Sequence, residues 1–205
     1  MNGPLLRRVG EGARVGADAR IGGDALGLIE VSSIARGHVV ADAMCKRAPV
    51  ELVLARPVSP GKLLVLVVGG VADVKEAMTT GFAVADEMFV DKLELAQVDP
   101  QVIDALRGTY AFIDDHALGL IETFSVASAL VSVDGACKAA EVRLVALRLA
   151  DGIGGKAYYA LQGTQGNVEA GLFAAETLVP AGLLVTKELI ARPHEALVAE
   201  LQRGG

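Results

Sequence analysis

The hexapeptide ALGLIE occurs at 25–30 and again, unchanged, at 117–122, an offset of 92 residues. Sliding residues 25–59 onto 117–151 gives 17 identities in 35 positions, among them Ser33/Ser125, Asp42/Asp134, Cys45/Cys137, Lys46/Lys138, Val50/Val142 and Arg56/Arg148. The offset then becomes 94, because the second copy has two extra residues in a loop. From there Gly61-Lys62 falls on Gly155-Lys156, Gly69 on Gly163, Val74 on Val168 and Glu94-Leu95 on Glu188-Leu189. The chain is one small domain written twice. The repeat divides it into an extension (1–24), a first domain (25–106), a linker RGTYAFIDDH (107–116) and a second domain (117–205).

Each copy reads the same way. ALGLIEV is an apolar run of strand length. SSIARGHVVADAMCKRA follows as a helical segment ending near Pro49, and VELVLARP is a second strand that Pro57 should stop. After a glycine loop, KLLVLVVGG is a third strand, whose unbroken apolar run predicts burial on both faces. A second helix is expected over about 71–89 and 165–179, with Pro180 ending the latter. A fourth strand lies near 90–97 and 183–191, and a short helix starts near Pro100 or Pro193. This alternation predicts an α/β fold of two tandem domains, each a four-stranded sheet with helices against it. Residues 1–24 are Gly- and Arg-rich without a sustained period, which predicts partial disorder.

Several function classes are excluded at this stage. The longest strongly apolar run, LLVLVV at 63–68, is far short of the ~20 residues of a membrane span. MNGPLLRRVGEG lacks the apolar stretch of a secretory signal. Two cysteines in 205 residues suit a reducing cytosol. A net charge of −6 without a basic cluster argues against nucleic acid. The stretch LADGIGGKAYY at 149–159 imitates a phosphate-binding loop, but the first required glycine is Ala150 and the required hydroxyl is Ala157. Its counterpart in the first copy is RPVSPGKLL at 56–64, so any role for one loop applies to two.

The ordered elements ALGLIE, ADAMCKRAPVELV, a Pro/Gly-bearing loop and a helix opening G-x-x-x-x-V-K-x-A resemble the bacterial microcompartment shell domain. Two such domains, each beginning at the ALGLIE strand, resemble the unpermuted tandem members of that family, and the likeness spans about 25–201. It implies a homotrimer that imitates a hexagon and tiles with hexameric and pentameric shell proteins into a wall. The domains would alternate around a threefold axis through heterologous contacts that close. The compartment would lie in the cytoplasm, and the protein would not be an enzyme.

The resemblance also implies roles for residues. The loop between the second and third strands would line a central pore for small metabolites. That loop is Val58, Ser59, Pro60 and Gly61 in one copy and Asp151, Gly152, Ile153, Gly154 and Gly155 in the other. Taken alone, Gly154-Gly155 merely turns a tight hairpin. In a pore, bare loops would let several backbones converge, and Asp151 would form a negative ring if it pointed inward. Lys46, Lys138 and Arg192 would sit at the tiling edge, although Val98 stands where Arg192 should recur. The plainer reading of the lysines is a solvated helix end complementing the macrodipole.

Other residues carry less. Cys45 and Cys137 share one repeat position on an apolar helix and are expected to be buried structural thiols. His38, His116 and His194 do not recur, and no Cys/His spacing suits zinc. No nucleophile–base–acid set is visible. Gly10-Glu-Gly12 precedes no strand–helix pattern of the dinucleotide kind, and Asp114-Asp115-His116 is an acidic linker too short to supply a metal's full ligand set. The alternative is a doubled α/β regulatory module that binds an effector between its domains. Some unpermuted tandem shell proteins carry a loop cysteine, and three of them hold an iron–sulfur cluster on the axis. Here that position is Ser59, whose hydroxyl is a poor ligand for such a cluster. Neither cofactor nor metal is expected, so anaerobically purified protein should show no iron–sulfur absorption band.

Overall fold

The computed structural model describes residues 22–110, 112 and 116–204. The first copy runs β1 (Ala25–Val31), α1 (Ile34–Arg47), β2 (Glu51–Val58), β3 (Lys62–Gly69), α2 (Val71–Ala85), β4 (Phe89–Leu95) and α3 (Pro100–Leu106). The second runs β5 (Ala117–Thr123), α4 (Val126–Ala139), β6 (Arg143–Leu149), β7 (Ala157–Gly163), α5 (Gln165–Leu178), β8 (Leu184–Ile190) and α6 (Glu195–Gly204). Each copy forms a four-stranded antiparallel sheet, in the orders β2-β3-β1-β4 and β6-β7-β5-β8. The duplication visible in the sequence is therefore a duplication of topology.

Local chemistry explains the helix starts. Ser33 accepts a hydrogen bond from the Arg36 N–H, and its repeat partner Ser125 accepts one from the Ser128 N–H. Such caps contribute about 1 kcal/mol each. Thr164 caps α5 in the same manner, whereas α2 begins at Gly70 with no side-chain cap. Two expected boundaries move. β2 continues through Pro57 to Val58, because it is an edge strand and a proline without an N–H is tolerated on the open side. α2 stops at Ala85, and a 3₁₀ turn over Asp86–Met88 leads into β4.

The central strands are apolar on both faces, as their sequence predicts. Leu63 through Val68 of β3 are all fully buried. Leu63, Val65 and Val67 face α1 and α2, in one cluster with Val40, Met44, Val74 and Met78. Leu64, Leu66 and Val68 face the other way, into a second cluster. Gly27 and Gly119 sit where helix meets sheet. A Cβ on Gly27 would lie 2.6 Å from Met78 Sδ, and one on Gly119 2.6 Å from Val168 Cγ1.

The second cluster joins the copies. It runs from Leu26, Leu28, Leu64 and Leu66 on the far face of the first sheet, through Val102 and Ile103 of α3, to Leu130 and Val133 of α4. The far face of the second sheet is covered differently, by Phe112 from the linker and Leu201 from α6. Expectations for 1–21 and for Asp114-Asp115 lie outside the described residues. Asp24 is tied in, its carbonyl accepting the Val98 N–H at 2.7 Å. Leu66→Ala should cost about 2–5 kcal/mol, the usual range for a buried Leu-to-Ala cavity. Because the cluster is shared, urea unfolding should remain a single transition for both copies, with its midpoint lowered.

Candidate functional site: the paired glycine turns and the seam between copies

Both glycine turns are built on strand ends. In the first copy β2 closes onto β3 with the Gly61 N–H donating to the Val58 carbonyl at 2.8 Å, and Gly61 has φ +106°. In the second copy the Ala150 N–H donates to the Lys156 carbonyl at 2.9 Å. Gly152, Gly154 and Gly155 all have positive φ there, between +68° and +85°. That backbone region favours glycine and would strain any larger residue. The bareness of LADGIGGKAYY is thus a backbone requirement.

The lysines that follow the turns are already engaged. Lys156 Nζ lies 2.7 Å from Glu122 Oε1. Its repeat partner Lys62 pairs with Glu30, the repeat partner of Glu122. The glutamate that closes each ALGLIE run therefore holds the lysine of the turn beside it. This arrangement fits a tethered turn and leaves no phosphate cradle.

The two turns come together within one chain. A Cβ on Gly155 would lie 3.1 Å from the Ser59 carbonyl oxygen, so the backbones nearly touch. Arg56 Nη1 lies 3.1 Å from Asp151 Oδ2, with both side chains about half exposed. Asp151 does not offer the unopposed negative charge its sequence position implied, since Arg56 beside it offsets that charge. Ser59, Pro60, Gly61, Asp151, Gly152 and Gly154 are exposed, while Ile153 and Gly155 are half-buried. The Val58 side chain is buried in the shared cluster, so only its backbone reaches the turn.

A second group of contacts, not foreseen from the sequence, forms the seam between copies. Asp134 of α4 is buried, and its Oδ1 accepts the Asp99 backbone N–H at 2.8 Å. Its Oδ2 lies 2.6 Å from Lys138 Nζ. The Gln101 amide clamps the β6 edge, donating to the Val142 carbonyl and accepting the Leu144 N–H, each at 3.2 Å. Arg107, at the end of α3, ties that helix back to β2 of its own copy through Glu51 at 2.7 Å. The Tyr110 hydroxyl donates to the Leu147 carbonyl at 3.3 Å. The one available signal was the recurrence of Asp42 as Asp134, an acidic residue on an otherwise apolar helix.

The remaining expected residues separate by copy. Lys46 pairs with Asp42 at 2.7 Å as Lys138 pairs with Asp134, but the Lys46 pair is far more exposed. Arg192 is exposed on the segment between β8 and α6, whereas Val98 is buried. The two thiols also differ, which corrects the expectation that both are buried: Cys137 is buried and Cys45 is exposed. Among the described residues, no group of three or more His, Cys, Asp or Glu is placed to hold a metal ion.

Cys137 is no nucleophile. Burial first, then the carboxylates of Asp99 and Asp134, push its thiol from 9.0 up to about 12. The folded state thus favours the neutral thiol, so the associated stability is complete below pH 9 and is lost as pH rises from 9 towards 12. Cys137→Ala should flatten the loss of stability over that alkaline window, measured as urea midpoints at successive pH values.

The BMC domain model matches residues 25–98 and 117–193, once on each copy. Over 181 residues the chain is 38% identical to the bacterial microcompartment shell protein PduT of Citrobacter freundii, covering 88% of this chain and 98% of that one. Over 193 residues it is 29% identical to the carboxysome assembly protein CcmO of Synechococcus elongatus, covering 86% and 68%. The crystal structure of a microcompartment protein from Desulfitobacterium hafniense superimposes with a TM-score of 0.81 at 44% identity, covering 84% of this chain and 97% of that one. With the same sheet order formed twice and the family model matched once on each copy, the chain belongs to the bacterial microcompartment (BMC) domain family and carries two of its domains in tandem.

Proposed function

We propose that the protein is a structural shell component of a bacterial microcompartment, assembling as a homotrimer of hexagonal outline around a central pore. The observation that carries this reading is the meeting of the two glycine turns, Gly155 against the Ser59 carbonyl and Arg56 against Asp151. One chain supplies two similar domains and two adjoining turns. Three chains would bring six turns around one axis, alternating between Val58–Gly61 and Asp151–Gly155. Positive-φ glycines keep side chains out of the centre and leave backbone groups to face whatever passes. Small polar metabolites are the cargo such a lining fits. The opposed charges of Arg56 and Asp151 would set a mixed rim rather than a purely acidic one.

The seam argues against the regulatory module, because apolar side chains fill the space where an effector would sit. Among the described residues the turn lysines are paired to carboxylates and Cys137 is held as a neutral thiol, which favours a structural over a catalytic role. Partners are further copies of this chain and other shell proteins of hexameric and pentameric type, met edge to edge. Lys46 and Lys138, each at the end of its helix, and Arg192 are the edge residues in this assembly. The exposed Lys46–Asp42 pair is worth at most about 1 kcal/mol and exchanges readily for contacts with a neighbour, whereas Lys138 is held by the buried Asp134.

Purified protein should elute at three times the 21.1 kDa chain mass and show flat hexagonal particles by negative-stain microscopy. A monomer at micromolar concentration would refute the reading. Lys46→Ala should leave those particles intact while reducing extended sheets; unchanged sheets would remove Lys46 from the tiling edge.

A further inference from the structure

The second helices of the two copies share an inner face and differ on the outer one. α2 and α5 align through their caps, Gly70 on Thr164, and through their buried residues, Val74 on Val168, Ala77 on Gly171 and Met78 on Leu172. In the first copy a cleft of about 520 Å³ lies where α2 passes the end of α1, lined by Arg47, Ala72, Lys75, Glu76, Thr79 and Thr80. Arg47 reaches from α1 to Glu76 of α2 at 3.2 Å, and the Thr79 hydroxyl turns onto the Lys75 carbonyl at 2.8 Å.

Carried onto the second copy, those positions read Ala139, Gly166, Glu169, Ala170, Phe173 and Ala174. The walls of the cleft shrink to alanine and glycine, and a phenyl ring stands in place of Thr79. Phe173 is 66% exposed, the highest value of any large apolar side chain among the described residues. The charge one turn before it inverts too, from Lys75 to Glu169. One copy thus offers a hollow beside a cation, and the other a knob beside an anion.

We infer that Phe173 docks in the Arg47–Lys75–Thr79 cleft of a second copy of this chain, in a neighbouring trimer, with Glu169 beside Lys75. The inference rests on the trimer reading and concerns contacts between rings. Knob and hollow occupy equivalent positions on the two repeats, so within one ring both point outward and cannot meet. Between rings, symmetry brings them together. In a six-sided ring of two alternating copies, every first-copy side lies opposite a second-copy side. Rings repeated by translation in a sheet therefore join unlike sides at each junction, a heterologous contact that propagates without closing. Such a junction needs complementary surfaces, and an aromatic anchor filling a pocket is the kind of contact that carries most of an interface's energy.

Sheet growth from purified trimers, followed by light scattering against protein concentration and checked by negative-stain images, tests this. Phe173→Ala should raise the concentration needed for sheets about tenfold or more, the equivalent of burying one phenyl ring. The side chain is mostly exposed, so trimer mass and circular dichroism should stay unchanged. Lys75→Glu and Glu169→Lys should each weaken growth a few-fold, and the two changes together should recover most of the loss, which requires the two sites to touch. Wild-type trimers that form no sheets, Phe173→Ala trimers that assemble at the wild-type concentration, or a double charge swap no better than its singles would overturn the inference while leaving the trimer reading intact. The second of these outcomes would assign the knob to a partner other than this chain. A wild-type monomer would end both.

Discussion

The carboxylate of Asp134 is the fixed point of the molecule. It is buried, it accepts the backbone N–H of Asp99 through one oxygen, and it holds the Lys138 ammonium through the other. A buried carboxylate must be fully satisfied or it destabilises the fold, and here both oxygens have partners. Satisfying them positions the start of α3, which carries Val102 and Ile103 into the apolar cluster and the Gln101 amide onto the edge of β6. α3 is the most extensive link between the two sheets, beside the Arg56–Asp151 pair and the Tyr110–Leu147 hydrogen bond. With it, the far face of the first sheet and the helices of the second form one core.

The relation between the copies is one of conserved architecture with divergent exposure. Glu30–Lys62 and Glu122–Lys156 recur unchanged, as do the serine caps and the Asp–Lys pairs on α1 and α4. What differs is whether a surface is in use. Charge diverges too: Glu51, closed onto Arg107, has Arg143 as its repeat partner in the second copy. A duplicated domain can share a fold while its two faces take different neighbours, because sheet order depends on the apolar alternation and not on the residues at its rim.

Much of the fold was legible in the sequence, for identifiable reasons. The unbroken run from Leu63 to Val68 required burial on both faces, whereas Ser33 and Ser125 showed only in the structure as the caps that start α1 and α4. Pro57 misled, because a proline stops a central strand but not an edge strand, and edge position is a tertiary fact. Cys45 and Cys137 look identical in the sequence and differ only through what packs on each helix. The glycine turns were visible as motifs, but Arg56 meeting Asp151 joins residues 95 positions apart, and no local pattern records such a pairing. The Gln101 clamp was hidden for the same reason, since it works through backbone groups that carry no residue identity.

The near-contact of Gly155 with the Ser59 carbonyl couples the evolution of the two turns. At 3.1 Å a methyl group on Gly155 asks the opposite backbone to give by a few tenths of an ångström, and its positive φ strains any side chain there. Bulk added to one turn is therefore felt by the backbone of the other. The width of any opening they frame is thus a joint property of both repeats, inherited as a pair, and neither duplicate is free to drift there by itself.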